Sequence, residues 1–510
     1  MWPQQRAMTA ACGYGFTLLV TGNADMLAFG KNSCAQLGTG DVLCSDIPCE
    51  IKGDVSFAGE RVAMVAAAHQ HAACVTEGGG LWTWGNATFG RTGHQLTVVH
   101  AQSTRARKKR AKKMRDRIML PGIDSRVLVQ MPRKVHLDGS RASPVVMVAC
   151  GDYFTVALTA SGLVWLSGSR DHLHASSGSV TFKKLDPRSF ADPGTGKPNR
   201  IAMVASGDTH LMALDTSGLL WMWGDNLHGA LGLGVGASGA VPTMLERAIF
   251  DGADVVSMDG GMHYTMILTG GGILWACGYG EYGQLGLGNT SDVAIPTVVG
   301  GPELYQGRGV RMAACGQRHT LVVTHENQLW SFGIRIYHVL GLGRNTTNRL
   351  VPTLVPDYEG FVNANVVMAA AGSTHSVLVV ENGRVYTWGQ AMQGHDNNPF
   401  KPMGLGHHLI CGDSDVSSNP RELQHTIKIN FGIITPMQTL IGAWHERYWI
   451  DKHVKIALAF AMGPRMCLAP DAALSNLPPE LTHRILVDAM RFQPTFHAGI
   501  LALLGVHKRE

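Results

Sequence analysis

One spacing constrains this chain more than any other feature. Seven short runs end in a glycine after an aromatic-rich stretch: MLAFG (26–30), LWTWG (81–85), VWLSG (164–168), LWMWG (220–224), LWACG (274–278), LWSFG (329–333) and VYTWG (385–389). The glycines Gly30, Gly85, Gly168, Gly224, Gly278, Gly333 and Gly389 are separated by 55, 83, 56, 54, 55 and 56 residues. Five of these six intervals agree within two residues, so one supersecondary unit is repeated seven times. A proline follows the glycine by 18 or 19 residues in five units, as Pro48, Pro187, Pro242, Pro296 and Pro352. Upstream of the glycine, segments such as 203–218, 315–328 and 371–383 alternate apolar and polar residues and end in Gly, Asn or Asp. That pattern is a strand closed by a turn. Each unit therefore reads as three or four short strands, with no helix inside it.

A unit this small cannot cover both faces of its own sheet. Arranged radially, each blade packs against two neighbours and the ring leaves only short edges. A linear solenoid would need polar capping units at its ends, and neither the first nor the last unit reads as one. The composition agrees: 62 glycines in 510 residues supply turns, and charged residues are 16%, below the ~25% usual for soluble domains. The expected fold is all-β, a seven-bladed propeller over residues 1–424, followed by a small helical extension over 425–510.

The residues that carry a resemblance are GQRHT (316–320), the L/V-W-x-W/F-G endings and GQLGLG (283–288). Together they resemble the regulator-of-chromosome-condensation repeat, over residues 8 to about 424. The resemblance implies a scaffold that binds protein partners without catalytic chemistry. It also implies a second reading, guanine nucleotide exchange on a Ran-like small GTPase, the activity of the founding member. Two departures weigh against exchange. The third unit keeps its regular length, leaving no candidate for the founding member's inserted wedge, and only six residues precede the repeats in place of its basic tail. A plant photoreceptor of this type uses tryptophans in a Gly-Trp-Arg-His-Thr motif, and here Gln317 stands where that tryptophan would be.

Several residues invite functional readings that the repeat explains better. His71, His210, His319 and His375 share one repeat position with Phe16, Phe154 and Tyr264. That interchange points to packing and hydrogen bonding, since zinc needs ligands converging on one point. Cys12, Cys150 and Cys315 also recur at one position and read as small buried residues. Gly278–Gly283 satisfies G-x-G-x-x-G, but QLGLGN follows it where a dinucleotide site needs a helix. GTGK (194–197) lacks the earlier glycine and following Ser/Thr of a phosphate loop. Trp82, Trp84, Trp221, Trp223, Trp275, Trp330 and Trp388 belong to the repeat core. No catalytic residue, metal site or cofactor is expected.

Function is sought where the repeat breaks. An insertion over about 95–124 in the second unit contains Arg105, Arg107, Lys108, Lys109, Arg110, Lys112, Lys113, Arg115 and Arg117, with Asp116 alone opposing them. This tract carries +8 of a net +5, so the rest of the chain is −3 (5 minus 8). Three readings stay open: nuclear import or nucleic-acid contact, contact with an acidic protein or membrane, and a solvated loop. A smaller insertion over about 391–415 in the seventh unit reads as a polar loop. Near the end, Leu477, Pro478, Leu481 and Ile485 open a helical pattern that resembles the start of an F-box, the module that docks a ubiquitin-ligase substrate receptor on its adaptor. Its other reading is an amphipathic helix capping the propeller. With no secretory leader or membrane-length apolar run, the chain is expected to be soluble and intracellular, nuclear or cytoplasmic.

Overall fold

The structure is a computed structural model that describes residues 7–422, apart from 23, 52–56, 95–127, 138–142, 170–178, 238, 301–304, 306–307, 344–346, 357–364, 382 and 390–416. Seven four-stranded antiparallel sheets make the seven blades of a propeller. The expected all-β, seven-bladed fold is thus observed, while the helical extension proposed for 425–510 lies outside the described residues. Each blade uses four consecutive strands, as in the fifth: Val255–Gly260, Tyr264–Thr269, Ile273–Gly278 and Val293–Val298. The first strands of neighbouring blades lie side by side around the axis. Second and third strands are the most buried, and Tyr264–Thr269 is buried at every position.

The repeated glycine has a physical cause. Gly278 takes φ +107, and a Cβ there would stand 2.3 Å from the His263 carbonyl oxygen. It pairs with Tyr264 at the start of the second strand, so the two strands approach too closely for any side chain. The tryptophans pack as expected: Trp84, Trp223 and Trp388 are fully enclosed. At the opposite end of the blades, an aromatic from the incoming connection meets the first tryptophan edge to face. Phe57–Trp82, Phe190–Trp221, Phe250–Trp275 and Tyr305–Trp330 have centroids 5.5–5.7 Å apart.

The proline landmark needs one correction. In the fifth blade Ala276 pairs with Thr297, placing Pro296 next on the outer strand. In the third blade Leu166 pairs with Lys183, so Phe182 holds that place. Pro187 instead opens a short 3-10 turn after the strand. Counting residues from the glycine misaligned this unit, because pairing register, not chain length, sets equivalence.

The described loops between third and fourth strands strap one blade to the next. Gly40, Gly234 and Gly288 donate backbone N–H bonds to Gln130, Ala294 and Leu350 of the following outer strand, at 3.0, 2.9 and 2.8 Å. A Cβ on Gly232 would stand 2.9 Å from Pro296 of the next blade. The G-x-L-G-x-G motif is therefore a blade-to-blade clamp.

The ring closes without exchanging strands. The first blade is built from Ala7–Cys12, Phe16–Thr21, Met26–Gly30 and Ser45–Ile51, and the seventh from Val366–Ala371, His375–Val380, Val385–Gly389 and Ser417–Glu422. Ala10, Leu19, Leu27 and Phe29 pack against Val377, Val379 and Val385. The Ala10 N–H donates to Met368 Sδ at 3.1 Å, as Val204 and Ala369 donate to Met147 and Met312 at 3.3 Å across other seams.

Candidate functional site

Strand directions fix which loops share a face. First strands end, and second strands begin, at the end of the ring we call the mouth; third strands finish there and fourth strands start there. The turns after Gly13, Gly151, Gly207, Gly261, Gly316 and Gly372 and the described straps therefore gather on one face. GTGK (194–197) lies in a blade-to-blade connection at the opposite end. Its Gly194 and Thr195 amides donate to Asp192 Oδ1 at 2.8 and 2.9 Å, so this chain's own carboxylate fills the nest a phosphate would need. No helix follows Gly278–Gly283, and the Gly280 amide is taken by Asp292 Oδ1 at 2.9 Å.

Just beneath the mouth, the repeated histidines join the blades. His71 Nε2 lies 2.8 Å from Thr155 Oγ1, His210 Nε2 2.8 Å from Thr265 Oγ1, His319 Nε2 2.8 Å from Ser376 Oγ and His375 Nε2 2.9 Å from Thr17 Oγ1. Thr155, Thr265 and Ser376 give their own hydrogens to the strap carbonyls of Arg91, Ala230 and Val339. A hydroxyl with its proton committed must accept, so Nε2 of His71, His210 and His319 carries the hydrogen. At Tyr264 the direction is reversed: the Thr320 hydroxyl donates to the Tyr264 oxygen at 3.1 Å, and the Tyr264 hydroxyl gives its own hydrogen to the His319 carbonyl oxygen at 2.6 Å. Where the position is Phe16 or Phe154, the following blade offers Ala72 or Leu211, both buried. Burial pushes the pKa of His210, His319 and His375 down to about 3 and holds His71 well below its ordinary range. These histidines are neutral structural links, as the sequence implied, and the partner residue one blade onward is what the sequence reading missed.

The surface of the mouth is different. Leu227 is 78% exposed, Phe89 and Ile336 49% and Tyr337 38%, all on straps. Phe89 and Tyr337 both have φ +64, a conformation bulky residues seldom take and one often kept for function. Cations sit on aromatic faces around them. Lys31 lies 4.6 Å from the Tyr14 ring, Arg318 4.9 Å from Tyr282, and Arg91 5.6 and 5.3 Å from Phe89 and Tyr153. Acids line the inner edge. Burial, with Asp208 nearby, raises the Asp152 carboxyl well above its usual range, and burial raises Asp208 to about 6. In the channel wall, Asp259 stands where the other six blades have alanine. It accepts the Cys315 N–H at 2.7 Å, and burial raises it to about 7. Cys315 is buried, while Cys12 and Cys150 are partly so.

Among the described residues, no group of three or more His, Cys, Asp or Glu is placed to hold a metal ion, and no helix is long and apolar enough to cross a membrane. The basic residues Arg105 to Arg117 lie outside the described residues. Their insertion leaves the second blade after His94 and re-enters at Leu128, where the fourth strand begins, so both of its ends stand on the mouth side. Leu477, Pro478, Leu481 and Ile485 also lie outside the described residues.

Comparisons with known proteins agree with this architecture. Ultraviolet-B receptor UVR8 of Arabidopsis thaliana is 30% identical over 281 residues, 54% of this chain and 59% of that protein. The E3 ubiquitin-protein ligase HERC2 of Homo sapiens is 28% identical over 361 residues, 70% of this chain but 6% of the ligase. The chain thus spans less than two thirds of either relative. Human WBSCR16 superposes with a TM-score of 0.59 at 23% identity, covering 74% of this chain and 88% of that one. Yeast RCC1 (Prp20), solved bound to Kap60, gives 0.59 at 19% identity, covering 83% and 85%. The RCC1-like domain matches residues 2–355 and 116–434, and the chain, with its seven four-stranded blades, belongs to that family.

Proposed function

We propose that this propeller is a non-catalytic scaffold that takes protein partners on its mouth face, and that the basic tract Arg105–Arg117 contacts chromatin or nucleic acid from the same side. The observation that carries this reading is the set of exposed strap residues Phe89, Leu227, Ile336 and Tyr337 beside the stacked cations Lys31, Arg91 and Arg318. Exposed aromatic and arginine anchors dominate protein interfaces. The HERC2 and UVR8 relatives, a ligase and a receptor, use the same repeat in proteins of different activity, which suits a binding module better than one shared reaction.

The test is affinity purification with mass spectrometry. A chain carrying Phe89→Ser, Leu227→Ser and Tyr337→Ser is expected to fold with an unchanged melting temperature and lose its protein partners. Deleting residues 103–118 is expected to remove histones, importins or nucleic acid. Retention of every partner by both variants would overturn the proposal. Exchange on a Ran-like GTPase is the second reading, favoured by the structural likeness to yeast Prp20p, a protein with binding properties to Gsp1p and histones. Exchange requires only preferential binding to the nucleotide-free GTPase, so it needs no acid, base or nucleophile. An unchanged rate of GDP release from Ran would remove it. An adaptor role through Leu477, Pro478, Leu481 and Ile485 is tested by whether charged substitutions there release an adaptor and cullin.

A further inference from the structure

Two histidines that the repeat does not require meet on the mouth face between the fourth and fifth blades. His228 lies on the strap of the fourth blade and His263 in the first turn of the fifth. Their rings are 5.4 Å apart between centroids and tilted by 47°. Each is held at Nδ1. His228 Nδ1 is 2.8 Å from Asp292 Oδ2. His263 Nδ1 is 3.4 Å from Asp225 Oδ2 and 3.2 Å from Thr209 Oγ1. An ionised carboxylate can only accept, so a neutral His228 carries its hydrogen at Nδ1 and keeps a lone pair on Nε2, and the Asp225 carboxylate beside His263 Nδ1 favours the same tautomer there. The orienting groups are themselves fixed, since Asp292 Oδ1 accepts the Gly280 amide. Tyr279 packs against His228 at 4.5 Å. His263 is held at φ +60, a left-handed conformation uncommon for a residue with a side chain. The two side chains keep 28% and 24% exposure, so they are reachable from solvent without being loose.

Proteins prepare imidazoles for metal in this manner, with one nitrogen on a carboxylate and the other offered outward. The separation fits as well. Zinc–nitrogen bonds of about 2.0–2.1 Å put each ring centre about 3.2 Å from the ion, so two rings on one tetrahedral ion have centres about 5.2 Å apart. We propose that His228 and His263 form a two-imidazole site for a zinc-like divalent ion. The described chain supplies these two ligands, and the remaining positions are open to water or to a side chain of a bound partner. The site does not depend on which partner the mouth face takes.

The test is titration of the full chain with Zn²⁺ alone, followed by calorimetry and by the imidazole nitrogen signals in NMR. One ion per chain is expected, shifting the Nε2 signals of both residues. His228→Gln and His263→Gln should each weaken binding about tenfold or more, and Asp292→Asn about tenfold through lost orientation. Melting curves taken without zinc check that each variant is folded. Zinc binding by the His228→Gln/His263→Gln double variant equal to that of the parent would overturn the assignment, as would no binding by the parent chain.

Discussion

The seam between the fourth and fifth blades and the seam between the third and fourth join the same kind of sheet by opposite chemistry. The first places the His210 imidazole 2.8 Å from the Thr265 hydroxyl. The second sets Phe154 against Leu211, with no polar atom on either side chain. Every seam follows one rule or the other. Phe16 faces Ala72 and Phe154 faces Leu211, whereas His71, His210, Tyr264, His319 and His375 face Thr155, Thr265, Thr320, Ser376 and Thr17. An imidazole set against an apolar partner would bury an N–H with nothing to bond, at about 1–3 kcal/mol. Blade order is therefore written into the pairs, and either chemistry serves so long as both partners agree.

The largest expected break is steric. A Cβ on Gly316 would stand 2.4 Å from His319 Cε1 and 2.6 Å from the Gly372 carbonyl oxygen. Gly316→Val should cost about 3 kcal/mol or more in a denaturant titration. A smaller effect comes from mixing the two chemistries. Phe154→His alone should cost about 2 kcal/mol by placing an imidazole against Leu211. Adding Leu211→Thr should recover about 1 kcal/mol, visible as coupling in a double-mutant cycle; additive losses would show that the pairing rule carries no energy.

Acid sharpens the same comparison. The seam histidines have native pKa values below their unfolded value of 6.5, so the unfolded chain binds more protons below that pH. Stability should fall as pH drops from 6.5 toward about 3, by at most ~1.4 kcal/mol per pH unit for each histidine. Replacing the pair His375 and Thr17 by Phe and Val should flatten that fall by one residue's share, measured as melting temperature against pH. One effect is of opposite sign. Asp259, at about 7 in the fold against 3.8 unfolded, holds a native proton in that window, so its contribution grows as pH falls through 7. Asp259→Ala should therefore make the histidine-driven loss between pH 4 and 6.5 steeper by up to ~1.4 kcal/mol per unit.

The fold was legible because its marks are spaced along the chain: the Gly278-type glycines, the paired aromatics and the strap motif recur at fixed intervals. The seam positions were visible, but their complements sit one position along in the next unit, and only the ring shows which unit follows the last. That signal could have been found by reading Thr17, Ala72, Thr155, Leu211, Thr265, Thr320 and Ser376 as a second column shifted by one repeat. Pro187 was misread because an interval of 19 residues concealed a different strand register. The mouth site was the least readable. His228 and His263 occupy unrelated positions of different units, so no periodicity links them. Exposure of Phe89 and Tyr337 depends on a backbone turn that composition does not record.

The clasp between the seventh and first blades has a consequence for how the ring comes apart. Every other junction is backed by a covalent thread of main chain, and among the described residues this one is held by the His375–Thr17 contact, the Met368 thioether, the Ser373 N–H donating to the Gly13 carbonyl oxygen and an apolar patch. A thermal excursion that parts it need not unravel a single sheet: the wheel can spring open like a split washer and snap shut again. The two faces of that gap would be the first interior surface that solvent or another chain encounters.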